Sequence, residues 1–257
     1  MSKYLNKLGY KLAKVKKTKP LKKIQETDII FENVNHVKEI YRNDDDTVMI
    51  SIDAKDRVKI GGFSRKGLSR IEVNALDHDF NSEYVTPFGI LDMKTNEVNL
   101  YNTKSKVTAD YIIDVIIDFW KEKEYDKSKK KLVIFSDNGP ENSSRRSRFI
   151  YRLVLMADTY NIEIEMVYYP PYHSKYNAIE RVWARLENMW NGSLIDTIDT
   201  CINYMRNLTW NKVKSNVKLI LKEYQIGIKE NKQTLLNIEK YITRKKGIEK
   251  WAFSISN

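Results

Sequence analysis

Apolar and polar positions fall into a regular pattern from about Asp44 onward. Thr47-Val-Met-Ile-Ser-Ile-Asp53 is β-branched and apolar up to its last residue, as a buried strand is. Val58 to Phe63 is expected to continue it past a bend, and 61–80, mixed in glycine, serine and charge, reads as a long loop. Tyr84–Leu91 and Glu97–Tyr101 form two predicted strands around Asp92–Asn96, a connection of hairpin length. Thr108 is the expected N-cap of a helix to about Glu124, with Ile112, Val115, Ile116 and Phe119 at helical spacing. Leu132–Phe135 is a short strand. A second helix is predicted from about Ser143 to Tyr160, burying Phe149, Ile150, Leu153, Val154 and Ala157. Ile162–Tyr168 is the next strand, stopped by Pro170-Pro171 because proline cannot donate to a ladder. Asn177 opens a third helix to about Trp190, and Asn191-Gly192 closes it.

The predicted order is three strands, helix, strand, helix, strand, helix. Antiparallel strands followed by β-α-β units imply an α/β fold: a mixed five-stranded sheet with helices on both faces. Three regions are expected: a basic N-terminal arm over 1–43, the α/β domain over 44–192, and a helical C-terminal extension over 193–257. Helices in the extension are expected over 195–208, 217–224 and 232–243. No internal repeat is visible.

Hydrophobic residues make up 42% of the 257 and aromatics 11%, enough to bury a sizeable core. The most apolar run, Tyr111–Trp120, is broken by Asp114 and Asp118 and falls short of the ~18 residues that span a bilayer. No apolar stretch follows the lysine-rich start, so neither a membrane anchor nor a secretory leader is expected. The single Cys201 excludes an internal disulfide or a multi-cysteine zinc site and fits a reducing, cytoplasmic setting. Net charge is +11, which draws a chain to polyanions, although a lysine-rich surface alone accounts for much of such a number. Its distribution adds detail: nine lysines lie within residues 1–23, and arginines cluster at Arg145, Arg146, Arg148 and Arg152.

Three acidic residues occupy positions where α/β sheets place chemistry. Asp53 ends the first core strand, Asp137 follows the fourth, and Glu180 lies in the first turn of the third helix. If those two strands are parallel neighbours, the carboxylates gather and need a cation to stay ionised together; oxygen ligands suit Mg²⁺ or Mn²⁺. Each residue also has an ordinary structural reading. Asp137-Asn-Gly suits a tight turn, Asp53 is a strand-end residue with Asp56 an equal candidate, and Glu180 stands at a capping-box position. Glu187 is a further acidic candidate on the same helix face. His36 and His78 are isolated, whereas His173 lies just before the third helix. The stripe Ile179, Val182, Trp183, Leu186, Met189 and Trp190 reads as core packing.

Longer strings carry a resemblance. Ser51-Ile-Asp-Ala-Lys55, Lys59-Ile-Gly61, Phe63-Ser-Arg65, Ser136-Asp-Asn-Gly-Pro-Glu-Asn-Ser-Ser-Arg145, and Tyr169-Pro-Pro-Tyr-His-Ser-Lys-Tyr-Asn177 with Ile179-Glu-Arg181 and Trp183 resemble the DDE-domain transposases of bacterial insertion sequences. The ISAzo-like group, with its Rhodopirellula-type DDE domain, is the match within them, and the last block is also similar to mariner-like transposases. The resemblance covers roughly 47–192. It implies a ribonuclease-H-like fold and a site in which Asp53, Asp137 and Glu180 hold two Mg²⁺ or Mn²⁺ ions. It implies cleavage at the ends of a mobile element and attack of the freed 3′-hydroxyl on target DNA. DNA, both element ends and target, is the expected partner, bound by a homo-oligomer. Lys55, Arg145, Arg146, Arg148, His173, Lys175, Arg181 and Arg185 are the expected DNA contacts. Ala178 stands where the family pattern usually has proline. Of the family's N-terminal helix-turn-helix, only Leu8-Gly-Tyr10 and the following basic stretch look like a trailing edge, so a separate N-terminal fragment is a possible partner. A non-catalytic DNA-binding remnant and a ribonuclease-H-like nuclease are the rival readings.

Overall fold

The computed structural model describes residues 2–10, 23–65, 67–69, 72, 74–76 and 83–256. His78, part of the 61–80 loop and residues 11–22 of the basic arm lie outside them. The elements are α1 (Ser2–Lys7), α2 (Thr27–Ile40), β1 (Thr47–Ala54), β2 (Val58–Lys59), β3 (Tyr84–Asp92), β4 (Val98–Thr103), α3 (Ala109–Glu122), β5 (Lys131–Ser136), α4 (Ser147–Tyr160), β6 (Glu163–Tyr168), α5 (Ala178–Trp190), α6 (Ile198–Arg206), β7 (Thr209–Trp210), β8 (Val213–Lys214), β9 (Asn216–Ile220), α7 (Lys232–Glu239), β10 (Ile242–Arg244) and β11 (Ala252–Ile255).

Strands β4-β3-β1-β5-β6 stand side by side in that order. β1 pairs antiparallel with β3 and parallel with β5; β5 pairs parallel with β6. These are the five strands read from the sequence, and their order and senses are ribonuclease-H-like. Parity along β1 assigns the two faces. Val48, Ile50 and Ile52 pack under α3 and α4, with Ile112, Ile116, Phe149 and Leu153. Met49 points to the other face, under α2. On that face α5 and α6 cover β3 and β4, burying Ile179, Trp183 and Leu186 against Leu91 and Leu100.

The sheet grows beyond five strands because the C-terminal residues join it. β9 pairs parallel with β4 at one edge, and β11, then β10, continue past β6 at the other. The helices expected over 195–208 and 232–243 are present as α6 and α7, but 217–224 holds most of a strand. Val217-Lys-Leu-Ile is too short an apolar run for its period to separate helix from strand, and the open edge of β4 decides it. At the other end, 27–40 of the expected arm is a helix. Ile30, Val34 and Val37 repeat at i, i+4, i+7 and bury against Val133, Phe135 and Val167. β2 folds back on β3 rather than prolonging β1. α3 starts as expected, with the Thr108 hydroxyl accepting from the Tyr111 N–H at 3.3 Å. α4 starts at Ser147, four residues after the expected Ser143, because 137–146 is spent on a hydrogen-bonded loop. Among the described residues, no helix is long and apolar enough to cross a membrane, and Cys201 is buried as a free thiol.

Candidate metal centre

Register alone brings two of the acidic residues together. β1 and β5 run parallel with Ser51 opposite Phe135, an offset of 84 residues. The same offset (137 − 53) carries one pleat further to Asp53 and Asp137, at the carboxyl ends of both strands. Neighbouring strands lie about 5 Å apart, and a two-residue step keeps both side chains on one face. The two carboxylates line one cavity of about 400 Å³ with Gly139, Pro140 and Asn142.

Each of them is held. The Trp183 indole N–H donates to Asp53 Oδ2 at 3.1 Å. That reach brings the ring close against β3, where Gly89 stands opposite Asp53. A Cβ at Gly89 would sit 2.8 Å from Trp183 and from Ile179, so glycine opens the space α5 occupies. After Asp137, the Asn142 amide donates to the Asp137 carbonyl at 3.1 Å and to Ser136 Oγ at 2.6 Å. The Tyr168 hydroxyl donates to the Asn142 carbonyl at 2.6 Å. Asn138 accepts from the Ser144 N–H and donates to the Lys250 carbonyl, both at 3.1 Å. The Asp-Asn-Gly string therefore makes a loop lashed down on several sides rather than a simple tight turn.

Glu180 arrives by a different device. Asn177 stands at the N-cap of α5 but its side chain caps nothing. Its amide instead accepts from the Ser51 hydroxyl at 2.5 Å and donates to the Ile52 carbonyl at 2.9 Å. The Ser51 oxygen in turn accepts from the Ile179 N–H at 3.0 Å, so a hydroxyl on β1 caps the helix on α5. Ser51 and Asn177 are both fully buried. This latch fixes the first turn of α5, and hence Glu180, to the strand that ends in Asp53. No hydrogen bond or ion pair of the Glu180 carboxylate occurs among the described residues, which removes the capping-box reading. Ser51 and Asn177 lie inside the recognised strings, but nothing in their spacing reveals that they bond to each other.

Burial pushes the Asp53 carboxyl up, and the negative charges of Asp137 and Glu180 add to it, to about 8; the Trp183 indole and the Ala54 N–H oppose the rise. Burial likewise raises Asp137, against hydrogen bonds from Asn142, its own backbone and Ser136. Carboxylates in such a group ionise together only beside a cation, and an oxygen-only donor set suits Mg²⁺ or Mn²⁺. In that sense the residues fit the metal. Among the described residues no three acidic, histidine or cysteine side chains already surround one point. Asp53 and Asp137 line the cavity, while Glu180 is not among its lining residues and reaches the pair through its charge on Asp53.

The rival acidic residues have other partners. Glu187 is ion-paired with Lys55 and accepts from the Trp190 indole at 2.6 Å. Burial alone would raise its carboxyl, but those bonds hold it below its ordinary value. Asp56 accepts from the neighbouring Arg57 N–H.

The expected DNA contacts divide sharply. Lys55 is committed to Glu187, and Arg146 lies 3.1 Å from Glu141. Arg148 is fastened to Asp110 at 2.8 Å and to Glu230 at 2.6 Å, tying α4 to α3 and to the segment before α7. His173 is buried, its Nδ1 2.8 Å from the Pro171 carbonyl and its ring edge-on to Phe31. Arg145, Lys175, Arg181 and Arg185 are exposed and, among the described residues, have no ion pair.

Comparison with known proteins bears on this geometry. The family model described as the Rhodopirellula transposase DDE domain matches residues 1–257. No curated protein matches. Among solved structures, the Mos1 transposase paired-end complex with left transposon end is similar at TM-score 0.53 and 13% identity, over 79% of this chain and 60% of that one. A pre-cleavage Mos1 transpososome gives the same figures. The Mos1 mariner paired-end complex with Mn gives TM-score 0.52 at 13% identity and the same coverage. At such identity the likeness establishes the fold, and the chain spans about 60% of the length of these neighbours.

Proposed function

The chain belongs to the Rhodopirellula transposase DDE-domain family, and from that premise we propose that it cuts and joins DNA at a centre of Asp53, Asp137 and Glu180. The observation that carries the proposal is the meeting of Asp53 and Asp137 at the carboxyl edge of two parallel strands, with the charge of Glu180 bearing on Asp53. All three would hold divalent ions, Mg²⁺ or Mn²⁺, in keeping with the Mn present in one Mos1 neighbour. When bound, such a pair activates a nucleophilic oxygen and stabilises the leaving oxygen of an in-line phosphoryl displacement. The chain's own residues position that chemistry. Trp183 aims Asp53, the Asn142 lattice fixes the backbone of Asp137, and the Ser51–Asn177 latch sets the start of α5. The pre-formed pair of aspartates with a loosely held glutamate suits a site completed when substrate arrives. The substrate is duplex DNA at the ends of the element, followed by strand transfer into a target. Mos1 neighbours solved as paired-end complexes support two ends bound together, and the proposal extends this to a homo-oligomer on the DNA.

The test is incubation of the purified chain with labelled DNA carrying the element's ends, in Mg²⁺, Mn²⁺ or chelator, with an RNA–DNA hybrid as control. Metal-dependent nicking of the end DNA is the expected result. Cleavage that persists in chelator, or that is confined to the hybrid, refutes the proposal.

A further inference from the structure

Lys38 is a half-buried cation without a carboxylate. Its ammonium lies 5.3 Å from the ring centroids of both Phe135 and Tyr169, at the last turn of α2. Among the described residues it has no ion pair or hydrogen bond. The charge it does feel is another cation: Arg181, one residue past Glu180 on α5, acts on Lys38 and on Tyr169 alike. Burial first, and Arg181 second, hold the Lys38 ammonium below its ordinary value. The Tyr169 hydroxyl, on the ring that Lys38 contacts, is buried and, among the described residues, has no hydrogen-bond partner. Two like charges that bear on each other beside an unpaired donor would be reconciled by an anion. The placement is set by the fold: Phe31, one heptad before Lys38 on α2, packs edge-on against Tyr176, so the same face of α2 runs along the segment leading into α5.

We propose that Lys38 and Arg181, with the Tyr169 ring against Lys38, form a site for one backbone phosphate of duplex DNA where α2 meets the segment leading into α5. The ligand is a phosphodiester because the site adjoins Glu180, where the proposed chemistry has its substrate; to that extent the inference rests on the proposed function. The cation–π contacts with Phe135 and Tyr169 hold the ammonium in place before DNA arrives. This cation was not legible in the sequence, where Lys38 is one lysine among many.

The experiment is equilibrium binding of a labelled duplex to the full chain in chelator, across salt concentrations, for wild type, Lys38→Met and Lys38→Arg. Each phosphate neutralised contributes about 0.9 to the slope of log K against log salt. Lys38→Met is therefore expected to lower the slope by about one and weaken binding about eightfold at 0.1 M salt. Lys38→Arg is expected to keep most of both. Without DNA, Lys38→Met is expected to melt at or above the wild-type temperature, because it removes a half-buried cation that burial and the charge of Arg181 both disfavour. An unchanged slope, or a lowered melting temperature with unchanged affinity, overturns the site. Millimolar inorganic phosphate that stabilises wild type but not Lys38→Met, with the DNA slope unchanged, overturns the phosphodiester in favour of a free anion. No metal or cleavage enters the measurement, so its failure and that of the proposed catalysis are read separately.

Discussion

Ser51 shows how one hydroxyl can serve two elements. It donates to Asn177 and accepts from the Ile179 N–H, so a single buried oxygen closes the end of α5 against β1. Ser51→Ala leaves the Ile179 N–H and the Asn177 Oδ1 buried and unpaired, at about 1–3 kcal/mol for the lost partners. Chemical denaturation is expected to record that loss. DNA cleavage is expected to fall further than DNA binding, because the latch sets the Asp53–Glu180 relation rather than the basic surface. If cleavage and binding decline in step, the latch is merely structural. The acidic residues themselves were legible, but their warrants differ. Asp53 and Asp137 follow from strand ends and a common offset, whereas Glu180 first reads as a helix cap. Its true circumstance depends on Ser51, 129 residues away, which no local pattern displays.

The arginine-rich face of α4 divides at the level of the element. Arg145, Arg148 and Arg152 share a helical spacing, and spacing alone offers all of them to a phosphate. Packing separates them. Arg148 and Arg152 both reach Asp110, and Arg152 continues to Asp114 at 2.7 Å, so this part of the face is a clamp between α4 and α3. Of the two aspartates that interrupt the apolar run of α3, Asp114 is a partner of that clamp, whereas Asp118 pairs with Lys218 on β9 at 2.6 Å. Asp110→Ala is expected to destabilise the chain by about 2–3 kcal/mol in urea while leaving the salt dependence of DNA binding unchanged; a changed slope would contradict the assignment. Burial alone would raise both carboxyls, but the bonds from Arg148 and Arg152 to Asp110, and from Lys222 and Arg152 to Asp114, hold both below their ordinary value. A depressed carboxyl adds stability above its unfolded pKa, near 3.9, and loses it as pH falls through the folded value. Urea midpoints are therefore expected to fall in wild type below about pH 4 more steeply than in Asp110→Ala. Parallel acid limbs in the two proteins would contradict this.

Over the whole molecule, the central sheet was readable because its strands are apolar and their ends carry turn chemistry. The flanking strands were not. β9, β10 and β11 are short, with β9 and β10 partly exposed, and they exist because β4 and β6 offer open edges that an isolated segment cannot announce. α2 was hidden in the same way: its stripe of Ile30, Val34 and Val37 follows directly on the lysine-rich start and gains meaning only against the sheet. The consequence is that α2 and the strands β9 to β11 frame the same sheet whose strands β1 and β5 lead to Asp53 and Asp137, so the proposed metal centre and the proposed phosphate site draw on segments far apart in the chain. The most direct measurement is the rate of Mg²⁺-dependent nicking of element-end DNA by wild type, Asp53→Asn, Asp137→Asn, Glu180→Gln and Glu187→Gln. The account predicts that the first three substitutions abolish nicking while the folded state and DNA binding persist, and that Glu187→Gln, whose carboxylate serves Lys55, retains it. Wild-type rates in any of those three, or an equal loss in Glu187→Gln, would contradict it.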